Sequence, residues 1–482
     1  MITVANTMAG DEKKMHHVND DPDVQALPGA ESSVDDEKRV RRKIDCVILP
    51  MMCIVYFLQY LDKLSLGYAA VFGLIEDLGL QGSQYSWCTS IFYFGQLVAE
   101  GPFIYLMGRL PLTRFIARSL GRSMHVSGSS NELRRVRGRA SAVSPAFVTI
   151  TSIWYKKEDH ALRVGIWGGM NPLAQVIGSL LMYGIGKIHH PSIEPWRILF
   201  LLCGALTSVF GVVFYIAMPS TPQKAWFLTP REREVVLERM ERDREGGDKV
   251  KFSWAQVRET LFDTKAWFIL LFGFIASMPG AVIFFGTILI NGLNYDKFQT
   301  MLLTAPSGAI SLGMLAVAMI GCSILPKYRC LVLILVTIVP LVGNILLLKL
   351  PLSATWGLVA SSWLASCNPG ILVMIMSLSA SNVKGNTKRA IVNTYFFIGL
   401  CVGCIAGPQL WEPSAAPRFL SGVTMGLSCW CVFIFLVGLY WALCHLENNK
   451  RDREQGVDLG PVTAYAGEDL TDKEDVLFRY IY

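Results

Sequence analysis

The apolar residues of this chain are gathered in long blocks, and this feature constrains the fold most. A membrane-spanning helix needs about 20 mostly apolar residues, so a dozen such helices would use about half of the chain. Ten blocks look complete, whereas the third and fourth are interrupted, and the predicted fold is an all-α membrane protein. The candidate spans, numbered 1 to 12, lie roughly at residues 46–66, 85–107, 111–117, 142–155, 163–186, 197–218, 267–291, 300–323, 328–349, 354–379, 389–411 and 422–445.

The composition agrees with a chain whose main partner is the lipid bilayer. Only 17% of its residues are charged and 52% are hydrophobic, whereas a soluble domain carries about a quarter charged residues. Mean hydropathy is +0.40. These values exclude a water-soluble globule, a disordered protein, a disulfide-rich secreted domain and a protein with a nucleic-acid partner.

The positions of the basic residues predict the topology. The sequence KRVRRK at residues 38–43 directly precedes span 1, and such clusters stay on the cytoplasmic side. Further basic residues fall in alternate loops, so both termini are predicted to be cytoplasmic. The expected organisation is a tail at 1–45, a six-helix half at 46–218, a central loop at 219–266, a second six-helix half at 267–445 and a tail at 446–482.

The central loop contains the start signals of a further helix. Thr229 can cap it, Pro230 suits the first helical position and Glu232 completes a capping box. Its apolar patch is narrow, and we expect it to rest on the cytoplasmic membrane surface, with a partner-binding site as the alternative. The residues of this patch are Val235, Val236, Leu237 and Met240.

The positions of the cysteines indicate a packing role rather than metal binding or redox chemistry. Most of the twelve lie inside apolar runs, where a thiol is a small apolar filler. Cys401 and Cys404 have CxxC spacing, but no second pair or histidine cluster accompanies them. We therefore expect no metal and no cofactor.

Ionisable residues inside the spans are few, and each is a functional candidate because a charge in hydrocarbon is costly. They are Asp62 and Lys63 in span 1 and Glu100 in span 2. A desolvated carboxylate at Asp62 could bind and release a proton, and the ammonium of Lys63 could attract an anion. The alternative is a pair that reaches the headgroups and only anchors the span.

Glycine and proline deep inside several spans indicate where a substrate would bind. Broken helices in matched positions of two halves mark midplane binding sites in transporters. Such breaks occur in GGMNPLAQVIG, SMPGAV, TAPSGAI, SCNPGIL and IAGPQLW. The candidate cavity residues near them could equally form hydrogen bonds between helices; they are Tyr60, Asn171, Gln175, Trp363, Asn368, Asn393 and Tyr395.

Several longer motifs carry a family resemblance that covers most of the chain. They are YLDKLSLGYA, AVSPAFVTITSIWYKKEDHALRVGIW, PSTPQKAWFLTPRERE, GNTKRAIVNTYFFIGLCVGCIAGPQLW, ENNKRDREQ and DLTDKEDVLFRY. The two halves of six spans resemble the major facilitator superfamily. The motifs resemble the fungal allantoate permease family within its anion:cation symporter branch.

This resemblance implies proton-driven uptake of a small organic anion at the plasma membrane, by rocking of the two halves of a monomer. Allantoate, ureidosuccinate, nicotinate, pantothenate and biotin are substrates within the family. Asp62 then matches the proton-linked acid, Lys63 stands where a substrate-binding arginine is usual, and Asn393 matches a polar substrate contact. Lysine keeps the charge of arginine but lacks its bidentate fork. The usual Asp-Arg-Gly loop appears only as GRLPLTR, so Arg109 receives no gating role.

Residues 118–141 depart from the family pattern. Where the family continues spans 3 and 4, this chain reads RSLGRSMHVSGSSNELRRVRGRAS, which is too polar to cross a bilayer. A back-translation of ELRRVRGRAS read one base later gives the apolar run NFAAFAVVRL. A frameshift or a mispredicted intron therefore explains the segment better than adaptation does.

Two alternatives to a working symporter stay open. The chain could be a non-functional product of a disrupted gene, or a transporter-like membrane nutrient sensor that signals through its tails. An enzyme is not expected, because no nucleophile, base or metal-ligand cluster lies within the spans.

Overall fold

The computed structural model describes residues 34–107, 147, 150–151, 154–155, 157–188, 193–219, 221–243, 253–411, 415–416, 418–455 and 469–482. Regular structure in these residues is entirely helical. The first half contains α1 (Val34–Val71), α2 (Leu74–Asp77), α3 (Gln84–Met107), α4 (Lys157–Gly168), α5 (Met170–Gly186) and α6 (Pro195–Ala217). The central loop contains α7 (Pro230–Asp243) and α8 (Trp254–Leu261). The second half contains α9 (Thr264–Ser277), α10 (Val282–Asn291), α11 (Lys297–Ile324), α12 (Arg329–Lys349), α13 (Thr355–Ala365), α14 (Pro369–Asn382), α15 (Asn386–Ala406) and α16 (Leu420–Gln455).

These helices account for ten of the twelve predicted spans. Eight segments of the described chain are long and apolar enough to cross a membrane, and they correspond to spans 1 and 6 to 12. Helix α3 forms span 2, and α4 with α5 forms span 5. Most of spans 3 and 4, together with the arginine-rich segment 118–141, lies outside the described residues.

Several predicted breaks interrupt the spans. Span 7 passes through a 3₁₀ turn at Met278–Ala281, and span 11 ends in another at Gly407–Leu410. Span 10 is divided at Asn368, directly before Pro369. By contrast, α11 continues through Pro306 without interruption. The breaks occur at prolines because a proline removes a backbone hydrogen-bond donor and crowds the preceding turn.

The hydrophobic cores show how the two halves meet. Near the start of α1, the first half has its own core around Ile48 and Phe214. At the same end the second half has a separate core around Phe272 and Tyr440. At the opposite end, which contains the end of α1, one core joins both halves. We call these the termini end and the far end of the bundle.

The far end is closed by contacts between the halves. Ser86 in α3 donates a hydrogen bond of 3.0 Å to the carbonyl of Trp411. Thr287 in α10 donates one of 3.1 Å to the carbonyl of Gly67. The Phe72 ring packs edge-on against Phe298 with centroids 6.0 Å apart. These contacts join the two halves at this end.

The central loop helix α7 has the predicted cap but a different location for its apolar face. The Thr229 amide donates to the Glu232 carboxylate at 2.9 Å, and the Glu232 amide donates to the Thr229 hydroxyl at 3.3 Å. However, Val235 and Val236 are buried in the core of the first half. The expectation that they rest on the membrane surface is wrong, because a closer apolar partner exists within the protein.

An ion pair fixes α7 against α1. Lys43 binds the Glu232 carboxylate with a separation of 2.6 Å. Although desolvation opposes ionisation, the Lys43 ammonium and the Thr229 hydrogen bonds hold the pKa of Glu232 below its usual range. The basic cluster before span 1 thus belongs to α1, which begins at Val34.

Candidate functional site

A cavity of about 150 Å³ lies between the two halves. From the first half it is lined by spans 1, 2 and 5, and from the second half by spans 7, 10 and 11. The side chains that matter for its chemistry are Tyr56, Gln59, Tyr60, Lys63, Phe92, Tyr93, Gln96, Trp167, Asn171, Ser277, Asn368 and Cys404. A molecule bound in this cavity would therefore contact helices of both halves.

Lys63 places a positive charge inside this cavity. Its Nζ atom lies 4.1 Å from the centroid of the Tyr93 ring, 5.1 Å from that of Phe92 and 5.6 Å from that of Tyr60. No carboxylate forms an ion pair with it among the residues that the structure describes. Aromatic faces stabilise an ammonium group only modestly, so an anion would stabilise this charge further.

Two asparagines add polar groups at broken helices. Asn171 lies in the first turn of α5 beside Pro172, and Asn368 lies in the break of span 10 beside Pro369. The Asn368 Nδ2 donates to the Ala276 carbonyl at 2.9 Å. The Oδ1 atoms of both asparagines are buried without a hydrogen-bond partner among the described residues. A ligand with N–H donors would satisfy them.

Asp62 lies outside the cavity lining although it is adjacent to Lys63. Its carboxylate is close enough to the Cys203 thiol of span 6 to interact with it electrostatically. Successive helical residues point about 100° apart, which explains the separation. The side chain of Glu100 is outside the described part of the structure.

The other candidate residues are located away from the cavity. Gln175 is buried and donates to the Ser307 hydroxyl at 2.7 Å, joining spans 5 and 8. Trp363 donates to the Leu303 carbonyl at 2.7 Å. The Tyr395 ring packs against Trp267 with centroids 5.2 Å apart. Asn393 is half-buried and does not line the cavity.

Sequence reasoning missed much of the aromatic lining. Phe92, Tyr93 and Gln96 in span 2 and Trp167 in span 5 all line the cavity. Their signal is polar and aromatic residues at helical spacing in SIFYFGQ, which alone does not show which side faces inward. Cys404 also lines the cavity, whereas Cys401 is buried in packing.

Comparison with known proteins identifies the family. The family model of the Major Facilitator Superfamily matches residues 136–408. An uncharacterized transporter of Schizosaccharomyces pombe is 33% identical, with 92% of this chain and 90% of the relative covered. The chain belongs to the major facilitator superfamily. The predicted family and all-α fold are thereby confirmed, and the chain is a transporter rather than an enzyme.

Within the major facilitator superfamily the relatives are fungal transporters. Allantoate permease of Saccharomyces cerevisiae is 30% identical, covering 99% of this chain and 93% of the relative. A thiamine pathway transporter of the same yeast is also 30% identical, covering 92% and 86%. These two relatives support the predicted likeness to the allantoate permease family.

Solved structures share the superfamily fold. The inward-open xylose transporter of E. coli aligns with a TM-score of 0.60 at 12% identity, covering 80% of this chain and 95% of that chain. A bacterial homologue of the lysosomal transporter Spinster aligns with a TM-score of 0.57 at 15% identity, covering 85% and 97%. At such identities the likeness concerns the fold.

Proposed function

We propose that this transporter is a proton-coupled symporter of a small organic anion. The observation that carries the proposal is the Lys63 ammonium, which lies inside the cavity between the halves among aromatic rings. A carboxylate that enters the cavity gains a charge-assisted hydrogen bond in a site shielded from water. A lysine that only anchored span 1 at the lipid headgroups would not need to line the cavity.

The cavity suits an anion that also carries N–H donors. The unpartnered Oδ1 atoms of Asn171 and Asn368 can accept hydrogen bonds, and the rings of Trp167 and Tyr93 can pack against a flat group. Allantoate, the substrate named for one relative, combines a carboxylate with ureido N–H groups. Nicotinate, pantothenate and biotin are the further candidates.

Asp62 is the proposed proton carrier. It belongs to the same helix as Lys63 but does not line the cavity, so the proton would bind outside the anion site. Coupling would then operate through movement of span 1 during alternating access. We further propose that the protein works as a monomer in the plasma membrane with both termini in the cytoplasm, as the KRVRRK cluster favours.

The test is uptake by cells that express the chain. Labelled allantoate, nicotinate, pantothenate and biotin are compared in acidic and neutral medium, with and without a protonophore. We expect uptake of one of these anions to rise in acidic medium and to collapse with the protonophore. Uptake that ignores both treatments would contradict symport.

A lysine series tests the anion site. Lys63→Met should raise the KM for the transported anion roughly 10- to 100-fold, because a hydrogen bond to a charged group contributes about 1.5–3 kcal/mol. Lys63→Arg should retain most of the affinity. Lys187→Met is the matched control, since Lys187 is an exposed lysine whose Nζ lies 4.6 Å from the Tyr183 ring centroid. An unchanged KM in Lys63→Met would reject the assignment.

A further inference from the structure

Residues 469–482 pack against the termini end of the second half. Arg451 of α16 donates to the carbonyls of Asp472 at 2.9 Å and Phe478 at 2.8 Å. Asn382, at the end of span 10, exchanges two hydrogen bonds of 2.7 Å with the backbone of Ile481. The segment thus touches the ends of spans 10 and 12.

Lys388 is the centre of this attachment. It is 1% exposed at the start of span 11. Its Nζ lies 2.8 Å from Glu259 in α8, 2.6 Å from Asp263 at the start of span 7 and 2.8 Å from Asp472. The three carboxylates could together hold a metal ion, since their oxygens lie within 4.8 Å of one another, but the ammonium already neutralises part of their charge.

The surrounding hydrogen bonds join the same elements. The Oε1 of Gln256 in α8 accepts from the amides of Thr387 and Lys388 at 3.0 and 3.1 Å. Its Nε2 donates to the Asp469 carbonyl at 2.9 Å. Thr471 donates to Glu259 at 2.9 Å. Removing Lys388 would leave three carboxylates close together without their shared counter-charge, and such a loss is strongly destabilising.

Electrostatics at Asp263 agrees with this arrangement. Burial by itself would favour the neutral acid, but the Lys388 ammonium outweighs this effect and holds the pKa of Asp263 below its usual range. The contribution of Asp263 to stability is therefore complete above the pKa that the residue has in the unfolded chain. It is lost as the pH falls through the lower folded value.

The attachment continues into the wall of the transport cavity. Above Lys388, spans 7 and 11 approach so closely that a Cβ atom on Gly399 would lie 2.2 Å from the Leu270 carbonyl oxygen. A Cβ atom on Gly403 would lie 2.3 Å from the Phe274 carbonyl oxygen. These spans contribute Ser277 and Cys404 to the cavity, so a shift at their base moves the wall.

We propose that residues 469–482, together with Lys388, Glu259 and Asp263, form a C-terminal clamp that holds spans 7 and 11 as one wall of the cavity. Lys388 is the positioning residue of this clamp. It touches no transported molecule and acts by fixing the base of span 11 to span 7 and to α8.

The test compares two lysines that both bind this segment. Lys388→Met removes the buried charge, and Lys384→Met is the matched control because Lys384 forms a more exposed pair with Asp475 at 2.7 Å. Hydrogen–deuterium exchange on the full chain in nanodiscs follows the amides of residues 480–482 and 386–395. Alkylation of Cys404 by N-ethylmaleimide is measured by mass spectrometry relative to Cys46, which is exposed at the start of span 1.

We expect Lys388→Met to accelerate exchange in both regions by about tenfold or more, as local opening does, and to speed alkylation of Cys404. Lys384→Met should change neither region strongly, and Lys388→Arg should restore the native pattern. If Lys388→Met does not fold, Asp472→Asn should give the same changes at smaller size. Two results for Lys388→Met would overturn the proposal. One is faster exchange at residues 480–482 with no change in exchange at residues 386–395 or in alkylation of Cys404. The other is continued protection of residues 480–482 from exchange.

Discussion

At the scale of single residues, span 1 separates two charges that are neighbours in sequence. Lys63 lines the cavity, whereas Asp62 does not line it and interacts electrostatically with the Cys203 thiol of span 6. The two proposed roles, anion binding by Lys63 and proton transfer by Asp62, can therefore be tested by separate substitutions.

Asp62→Asn tests the role of the carboxylate. If Asp62 carries the proton, the asparagine variant should lose accumulation driven by a pH gradient but keep exchange of labelled for unlabelled anion. Counterflow and net uptake are measured in proteoliposomes. Asp77→Asn is the control, because Asp77 forms an exposed pair with Arg197 at 2.8 Å at the far end. Gradient-driven accumulation that survives Asp62→Asn would reject this role.

At the scale of elements, spans 7 and 11 pack backbone against backbone beside the cavity. Gly273, Gly399 and Gly403 let the two backbones touch, since a Cβ atom at each would lie within 2.5 Å of an atom on the other span. Small residues allow such approach between membrane helices, where close packing replaces the hydrophobic effect as the driving force.

Gly403→Ala should destabilise this pair. The added methyl group has no room beside the Phe274 carbonyl, and overpacking costs about 1–3 kcal/mol. The matched control is Gly438→Ala in span 12, where a Cβ atom would meet nothing within 4 Å. Thermal unfolding of the purified protein should show a lower midpoint for Gly403→Ala only. Equal unfolding midpoints for the two variants would contradict tight packing between spans 7 and 11.

Residues 118–141 raise a separate question about elements. Their arginine-rich sequence departs from the family pattern, and the segment lies outside the described residues. We expect sequencing of the transcript across codons 115–145 to show a frame change or a retained intron. An in-frame message that encodes the arginine run would refute this explanation.

At the scale of the whole molecule, the distribution of cores shows at which end the two halves are joined. The halves share a core at the far end and have separate cores at the termini end. Opening of the far end must therefore break contacts such as the 3.0 Å hydrogen bond from Ser90 to the Ile405 carbonyl. Gln409 supports this contact by donating to the Ser90 hydroxyl at 2.9 Å.

Ser90→Ala should shift the molecule towards opening at the far end. A hydrogen bond contributes about 0.5–1.5 kcal/mol, so the open population should rise roughly 2- to 10-fold. Spin labels on unnatural amino acids at positions 77 and 352 report the distance between the halves at this end. Ser323→Ala is the control, because Ser323 bonds within its own helix to Met319 at 3.0 Å. An unchanged distance distribution in Ser90→Ala would show that this bond does not hold the far end closed.

Local signals predicted those features that depend on few neighbouring residues. The length of apolar blocks located ten spans, the prolines located breaks at Pro279, Pro369 and Pro408, and Thr229 with Glu232 located the cap of α7. Hydropathy, backbone donors and capping act within a turn or two, so the sequence contains them directly.

The partners of each polar side chain were decided by the tertiary structure. Asn368 and Gln175 carry similar signals near glycine and proline, yet Asn368 lines the cavity and Gln175 binds Ser307. In the sequence, Lys388 is one of several basic residues near the start of span 11, and only the fold brings Asp263 and Asp472 into ion pairs with it. Which charges and amides meet depends on how distant helices pack. By itself, the sequence determined a membrane protein of two helical halves, and the packing decided which residues form its cavity and its clamp.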